Sequence, residues 1–243
     1  HTKIVSKYFL KQALNKCSGV VTVSKTSMKS LYLYYKNYLN KTNIGIFYNC
    51  FDENNNFCEL YQLNNKRKKN QKKIIYTGGF ERRKNIDILF QAFSIIVREN
   101  VDVYLVITGN LDKNKKLLKK IKNYDIKNNV ILTGLLSNDQ LQNLYVNDID
   151  GAINISFCEG FGRNNYEAKM YGIPLLCSNI AINHEIVGDY PIYCDPTKIN
   201  DIINGIKKLL IMPLNKPEQF IDERFKLEKN VPRFISFIDD CMK

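Results

Sequence analysis

The sequence predicts an α/β fold, a parallel sheet flanked by helices, with the last part of a second domain of the same kind ahead of it. Three observations predict it. Short runs rich in Ile, Val and Leu alternate with helix-length stretches of 3.6-residue apolar spacing almost to the C-terminus, the pattern of strands alternating with helices in a parallel sheet. Glycine turns stand where apolar runs give way to helical patterns, at Gly78-Gly79 and at Gly160-Phe161-Gly162. The alternation lapses once, over 52–70, where Asn and Lys dominate and no period survives, the signature of a connecting segment.

Taken in order, the pattern gives a helix to about residue 15, a strand over 20–24, a helix over 25–40 and a strand over 44–49. After the lapse come a strand over 74–77 and a helix over 85–99. In that helix Ile86, Leu89, Phe90, Phe93, Ile96 and Val97 form one apolar stripe, which is core rather than chemistry. Strands follow over 103–108, 130–133, 152–156, 174–178 and 192–194, separated by helices near 112–123, 138–147, 164–171 and 180–187. The tail adds helices near 198–211 and 217–228 and a last one from Pro232, since proline suits a first helical turn. The domains expected are therefore 1–50, the remnant of an amino-terminal domain; 51–71, a linker; 72–228, a six-stranded ligand-binding domain; and 229–243, a C-terminal helix crossing back to the first domain.

Composition narrows the class. The chain has 243 residues, 44% of them hydrophobic and 12% aromatic, which suits a folded globular protein. No apolar stretch approaches the roughly 20 residues of a membrane span. A formal net charge of +12 points to an anionic partner, yet Lys is spread along the whole chain, and the densest run, 66–73, lacks interleaved aromatics and reads as a solvated linker. Seven cysteines, an odd number with no CxxC pair, argue against a zinc site or a disulfide framework and for a reducing cytoplasm. The sequence opens on His1 in a helical pattern without a signal-peptide core, so it reads as part of a longer protein.

Two constellations carry chemistry. Glu159 and Glu167 lie eight positions apart around Gly160-Phe161-Gly162, after an apolar run and before a helix. Such a junction lies at the carboxyl end of a parallel sheet, where ligands bind, and the helix start offers unpaired N–H groups to an anion. If Asn164 caps the helix, Glu167 is its third residue and reaches back to the cap; a ligand role is the alternative. Glu159 sits in the turn itself, where a carboxylate can accept hydrogen bonds from hydroxyl groups, while Gly160 and Gly162 let bare backbone approach an oxygen-rich ligand. The second constellation is Gly78-Gly79 followed by Arg82, Arg83 and Lys84 before the next helix. The positive end of a helix disfavours each cation by roughly 0.3 to 1 kcal/mol, a cost that a bound anion would offset; side chains pointing to solvent are the alternative.

These segments together resemble the retaining glycosyltransferases of family 4, the glycosyl transferases group 1, with the GT-B fold of two facing Rossmann-like domains. Val21-Thr22-Val23-Ser24, Tyr48-Asn49-Cys50-Phe51-Asp52, the loop from Gly78 to Lys84-Asn85, Val130-Ile131-Leu132-Thr133-Gly134, Glu159-Gly160-Phe161-Gly162 with Glu167-Ala168, Gly172-Ile173-Pro174 and Glu185-Ile186-Val187-Gly188 match family motifs in order. The resemblance covers the chain from about Leu10. It implies that Lys84 meets the donor's diphosphate with Arg83 or Arg82 assisting, that Glu159 holds donor-sugar hydroxyls, that the Gly160, Phe161 and Gly162 backbone faces sugar and phosphate, and that Glu167 binds the ribose. Gly79 would lie in the phosphate loop, and the Gly134-Leu135 turn by the base. Glu159, Lys84 and Arg83 are the residues it assigns to catalysis.

The resemblance also implies a UDP-, GDP- or ADP-sugar donor, a saccharide or lipid-linked acceptor, no metal, no other cofactor, and a cytoplasmic protein in peripheral contact with the inner face of a membrane. No nucleic-acid partner is expected. The chain departs from the family at Gly79, where an Arg is usual, so Arg82 or Arg83 must supply that charge; Ile155 stands for a Pro and Cys50 for a Gly. His1 and His184 are read as surface residues, and Asp148-Ile149-Asp150 as a loop rather than a metal motif. Two other readings fit fewer residues: a non-catalytic nucleotide-sugar-binding module, and a basic nucleic-acid-binding α/β protein. A dehydrogenase fits none, because no G-x-G-x-x-G follows a strand.

Overall fold

The computed structural model describes residues 2–39, 42–51, 71–99, 102–110, 115–217 and 221–243. The chain forms two compact units, one from 1–55 with 220–243 and the other from 56–219. Residues 52–70 of the expected linker, and all but the end of the basic run 66–73, lie outside the described residues.

The first unit contains α1 (Thr2–Lys16), β1 (Gly19–Thr22), α2 (Lys25–Tyr35), β2 (Asn43–Ile46) and the C-terminal α9 (Leu227–Met242). Strands β1 and β2 pair in parallel, Gly19 opposite Asn43 through Thr22 opposite Ile46. Ser24 starts α2 by accepting the Ser27 N–H at 2.9 Å, the capping geometry that small hydroxyl residues favour. Phe47, just after β2, meets Phe234 and Phe237 of α9 edge-on and tilted, at ring separations of 5.0 and 5.5 Å. Here one sequence expectation fails. Among the described residues of 217–228 no helix forms apart from a 3-10 turn, Glu223–Phe225, and the first two residues of α9. That helix starts at Leu227, five residues ahead of Pro232. The cause is Asn230, whose side-chain amide donates to the carbonyls of Arg224 and Lys226, both at 2.9 Å, and so welds turn to helix. Pro232 then sits in the second turn, where the helix forgoes one i→i−4 hydrogen bond and the ring crowds the carbonyl four residues back.

The second unit holds β3 (Lys72–Thr77), α3 (Ile86–Arg98), β4 (Val103–Thr108), α4 (Lys115–Asn123), β5 (Val130–Gly134), α5 (Asn138–Asn147), β6 (Gly151–Asn154), α6 (Arg163–Met170), β7 (Leu175–Ser178), α7 (Ala181–Val187), β8 (Ile192–Cys194) and α8 (Ile199–Ile211). The strands form one parallel sheet in the order β5-β4-β3-β6-β7-β8. The predicted stripe of α3 is buried at Ile86, Leu89, Phe90, Phe93 and Ile96 and packs with Ile202, Ile206 and Leu209 of α8 in the core. Asp148-Ile149-Asp150 is a loop that locks β6 beside β3: the Lys73 N–H donates to Asp150 Oδ2 at 2.8 Å, and Lys73 Nζ pairs with Asp148 at 3.1 Å. Strand order reverses between β3 and β6, so the chain leaving each of them diverges and opens a crevice at their carboxyl ends.

Candidate active site

Both loops singled out in the sequence leave the sheet at this reversal. After β3 the chain makes a turn that Tyr76 braces from below, its hydroxyl donating to the Gly79 carbonyl at 2.6 Å. The three cations lie in a 3-10 turn, Arg82–Lys84, ahead of α3 rather than in its first α-helical turn. Asn85 joins the two in the left-handed conformation, φ 58°, and its side chain is tied by a 2.8 Å bond to the Pro196 carbonyl. Asn tolerates that conformation better than most residues, and the kink it makes sends Lys84 inward. Lys84 is 8% exposed; Arg82 and Arg83 are exposed at the rim.

From β6 the chain brings Glu159 to the same place. Lys84 Nζ lies 2.6 Å from Glu159 Oε1, and Arg83 Nη1 lies 3.1 Å from Oε2. The Phe157 N–H donates to the Arg83 carbonyl at 2.8 Å, tying loop to loop. Burial alone would raise the Glu159 carboxyl. Hydrogen bonds from Lys84 and Ser156, with the charges of Lys84 and Arg83, outweigh it and hold the group below the usual carboxylate range. Of the two arginines the sequence left open, the structure therefore brings Arg83 to Glu159, whereas Arg82 forms no ion pair among the described residues.

The start of α6 differs from the sequence expectation. Gly162, not Asn164, is the N-cap; its φ is 81° and no side chain caps the helix. The Asn164 amide is instead spent on the carbonyl of Thr77 at the end of β3. Glu167 is thus the fifth helical residue, has no capping role, and pairs with Arg163 one turn back at 2.9 Å. Burial pushes its carboxyl above the usual range despite that Arg. Phe161 and Gly162 are buried and Gly160 exposed, so the turn is pinned by an aromatic ring and opens to solvent at Gly160.

Gly134 ends β5 with φ 76° and its carbonyl accepts the Gly109 N–H at 2.9 Å; Leu135 beside it is 71% exposed. That turn stands two strands away from β3, at the far side of the crevice. His184 is exposed, with Nε2 2.7 Å from Asn179 Oδ1, and His1 lies outside the described residues. Among the described residues no group of three His, Cys, Asp or Glu is placed to hold a metal ion, and no helix is long and apolar enough to cross a membrane. Sequence reasoning missed Tyr76 and Ser156. Both read as members of apolar strand runs, and the one signal was a hydroxyl at the carboxyl end of each run.

Residues 60–227 match the family described as glycosyl transferases group 1. The O-antigen chain mannosyltransferase B of Escherichia coli is 31% identical over 130 residues, 53% of this chain and 34% of that protein. The O-antigen chain mannosyltransferase RfbU of Salmonella typhimurium is 24% identical over 215 residues, 87% of this chain and 56% of that protein. The chain thus spans between a third and just over half of these two relatives. Among solved structures, an S. aureus TarM variant in complex with fondaparinux, alpha-GlcNAc-glycerol and UDP superposes with a TM-score of 0.74 at 20% identity, covering 96% of this chain and 46% of that one.

Proposed function

Because this chain belongs to the glycosyl transferases group 1 family, we propose that it is the donor-binding part of a retaining glycosyltransferase that moves a sugar from a nucleoside-diphosphate sugar to a saccharide or lipid-linked acceptor. The observation that carries the reading is the meeting of Lys84 and Arg83, from the loop after β3, with Glu159, from the loop after β6. In the donor complex Lys84 and Arg83 turn to the diphosphate, and Glu159, released from its pairing with them, accepts hydrogen bonds from sugar hydroxyls. The start of α6 and the backbone from Gly160 to Gly162 face the sugar and its phosphate, Gly79 lets the phosphate approach, and Glu167 takes the ribose. The Gly134-Leu135 turn lies by the base. Fixed cations at a leaving diphosphate stabilise the charge that develops as the bond breaks, so the reading calls for no metal.

In the reaction the acceptor oxygen bonds to the anomeric carbon on the face the diphosphate leaves. The carbon–oxygen bond to the phosphate breaks, and the departing phosphate oxygen takes the acceptor proton. The O-antigen relatives support surface polysaccharide synthesis as the setting, with a cytoplasmic protein touching the inner face of the membrane where a lipid-linked acceptor presents itself.

Thermal shift with UDP-, GDP- and ADP-sugars tests the reading. One of them is expected to raise the melting temperature, with the rise abolished by Lys84→Ala and by Glu167→Ala. No rise with any of the three overturns it.

A further inference from the structure

Beneath the glutamate loop runs a row of buried polar side chains that the donor contacts do not use. The Ser156 hydroxyl donates to Asn154 Oδ1 at 2.7 Å, Asn154 Nδ2 to Asn165 Oδ1 at 2.9 Å, Asn165 Nδ2 to Asn183 Oδ1 at 2.9 Å, and Asn183 Nδ2 to the Ser178 carbonyl at 2.7 Å. None of the four donors is more than 5% exposed. The row runs head to tail from the end of β6 through α6 to α7 and the end of β7. Apolar side chains of similar size would fill these positions without the desolvation cost of amides, so packing alone does not account for three asparagines.

Both ends of the loop rest on the row. At one end Ser156, whose proton goes to Asn154, also lies close enough to the Glu159 carboxylate to help hold its carboxyl low. In the middle, a Cβ placed on Gly162 would stand 3.4 Å from both Asn165 Nδ2 and Asn183 Oδ1, so the turn lies directly on the two amides. A chain of aligned amides is stiffer and more directional than an apolar floor, since each bond polarises the next.

We propose that Asn154, Asn165 and Asn183 are positioning residues that act through Ser156 and the Gly162 turn to fix the direction in which Glu159 presents its carboxylate to the donor sugar. The inference rests on the donor-site reading. Because Glu159 serves the sugar while Lys84 and Arg83 hold the diphosphate from the other loop, the row governs the extra affinity that the sugar adds more than the affinity for bare diphosphate.

Calorimetric titration separates the two, using whichever of UDP, GDP or ADP gives the largest thermal shift, together with its sugar. In Asn165→Leu/Asn183→Leu the ratio of the two dissociation constants is expected to fall about tenfold, the scale of a misplaced contact group. Bare diphosphate affinity should stay within about twofold, while the unliganded melting temperature should fall, because the Asn154 amide and the Ser178 carbonyl are left buried without these partners. Ser156→Ala should lose the ratio and Ser156→Thr keep it. An unchanged ratio in the double variant, or parallel weakening of both ligands in both Leu and Ala variants, overturns the inference. A parent protein that binds neither ligand overturns the donor-site reading instead, and the inference with it.

Discussion

Glu159 and Glu167 are eight residues apart and respond to pH in opposite senses. Glu159 has a depressed carboxyl, so its contribution to stability is present above its unfolded value and is lost as pH falls through the folded one. Glu167 has a raised carboxyl; the folded state favours its protonated form, so its ionisation costs stability as pH rises past the unfolded value. Two outcomes follow in thermal melts. Glu167→Gln should melt above the parent at pH 7, with the gap closing as pH falls toward 4. Glu159→Gln should melt below it at pH 7, by about 2 kcal/mol, because Lys84 is then buried without its counter-charge. A lower melting point for Glu167→Gln would show that Arg163 stabilises that carboxylate more than burial penalises it. At this scale the sequence exposed both carboxylates and all three cations by type and spacing. It did not reveal that Arg83 rather than Arg82 reaches Glu159, because that choice depends on the left-handed turn at Asn85, a tertiary arrangement held from Pro196.

At the scale of elements, the 3.6-residue stripe of α3 and the strand runs were legible because burial imposes their period directly. What escaped were starts and stops set by contacts distant in sequence. Asn164 reads as a cap from its neighbours, but the Thr77 carbonyl claims its amide, and the helix begins at Arg163 instead. The start of α9 depends instead on a nearby residue, Asn230, whose amide reaches back six and four residues to the carbonyls of Arg224 and Lys226. The other end of α6 is closed by Gly172, with φ 67°, where a Cβ would stand 2.3 Å from the Asn215 carbonyl oxygen. Left-handed backbone costs a non-glycine residue roughly 1–2 kcal/mol, and the carbonyl cannot yield without moving its own chain. Gly172→Ala should therefore lower unfolding free energy by at least about 2 kcal/mol in denaturant titrations; a change under half that would mean the segment after α8 shifts freely.

At the scale of the whole molecule, every residue assigned to the donor belongs to the unit formed by 56–219, and that unit has its own core, drawn from α3, α8 and the central strands. The two-stranded sheet belongs to the other unit, with Phe47 packed on Phe234 and Phe237. The division in the sequence was visible as a lapse in periodicity, and a C-terminal helix crossing back to the first domain was among the expectations; α9 belongs to the first unit. A ligand stabilises the cooperative unit that binds it, and hydrogen exchange reports stability unit by unit. Adding the nucleoside diphosphate should slow exchange in the loops after β3 and β6, and also in α3 and β4, whose amides open only when that core opens. Amides of β1 and β2 should keep their rates. If β1 and β2 slow as much as β4, the two units open together, and the donor unit is not the independent cooperative body that its separate core predicts.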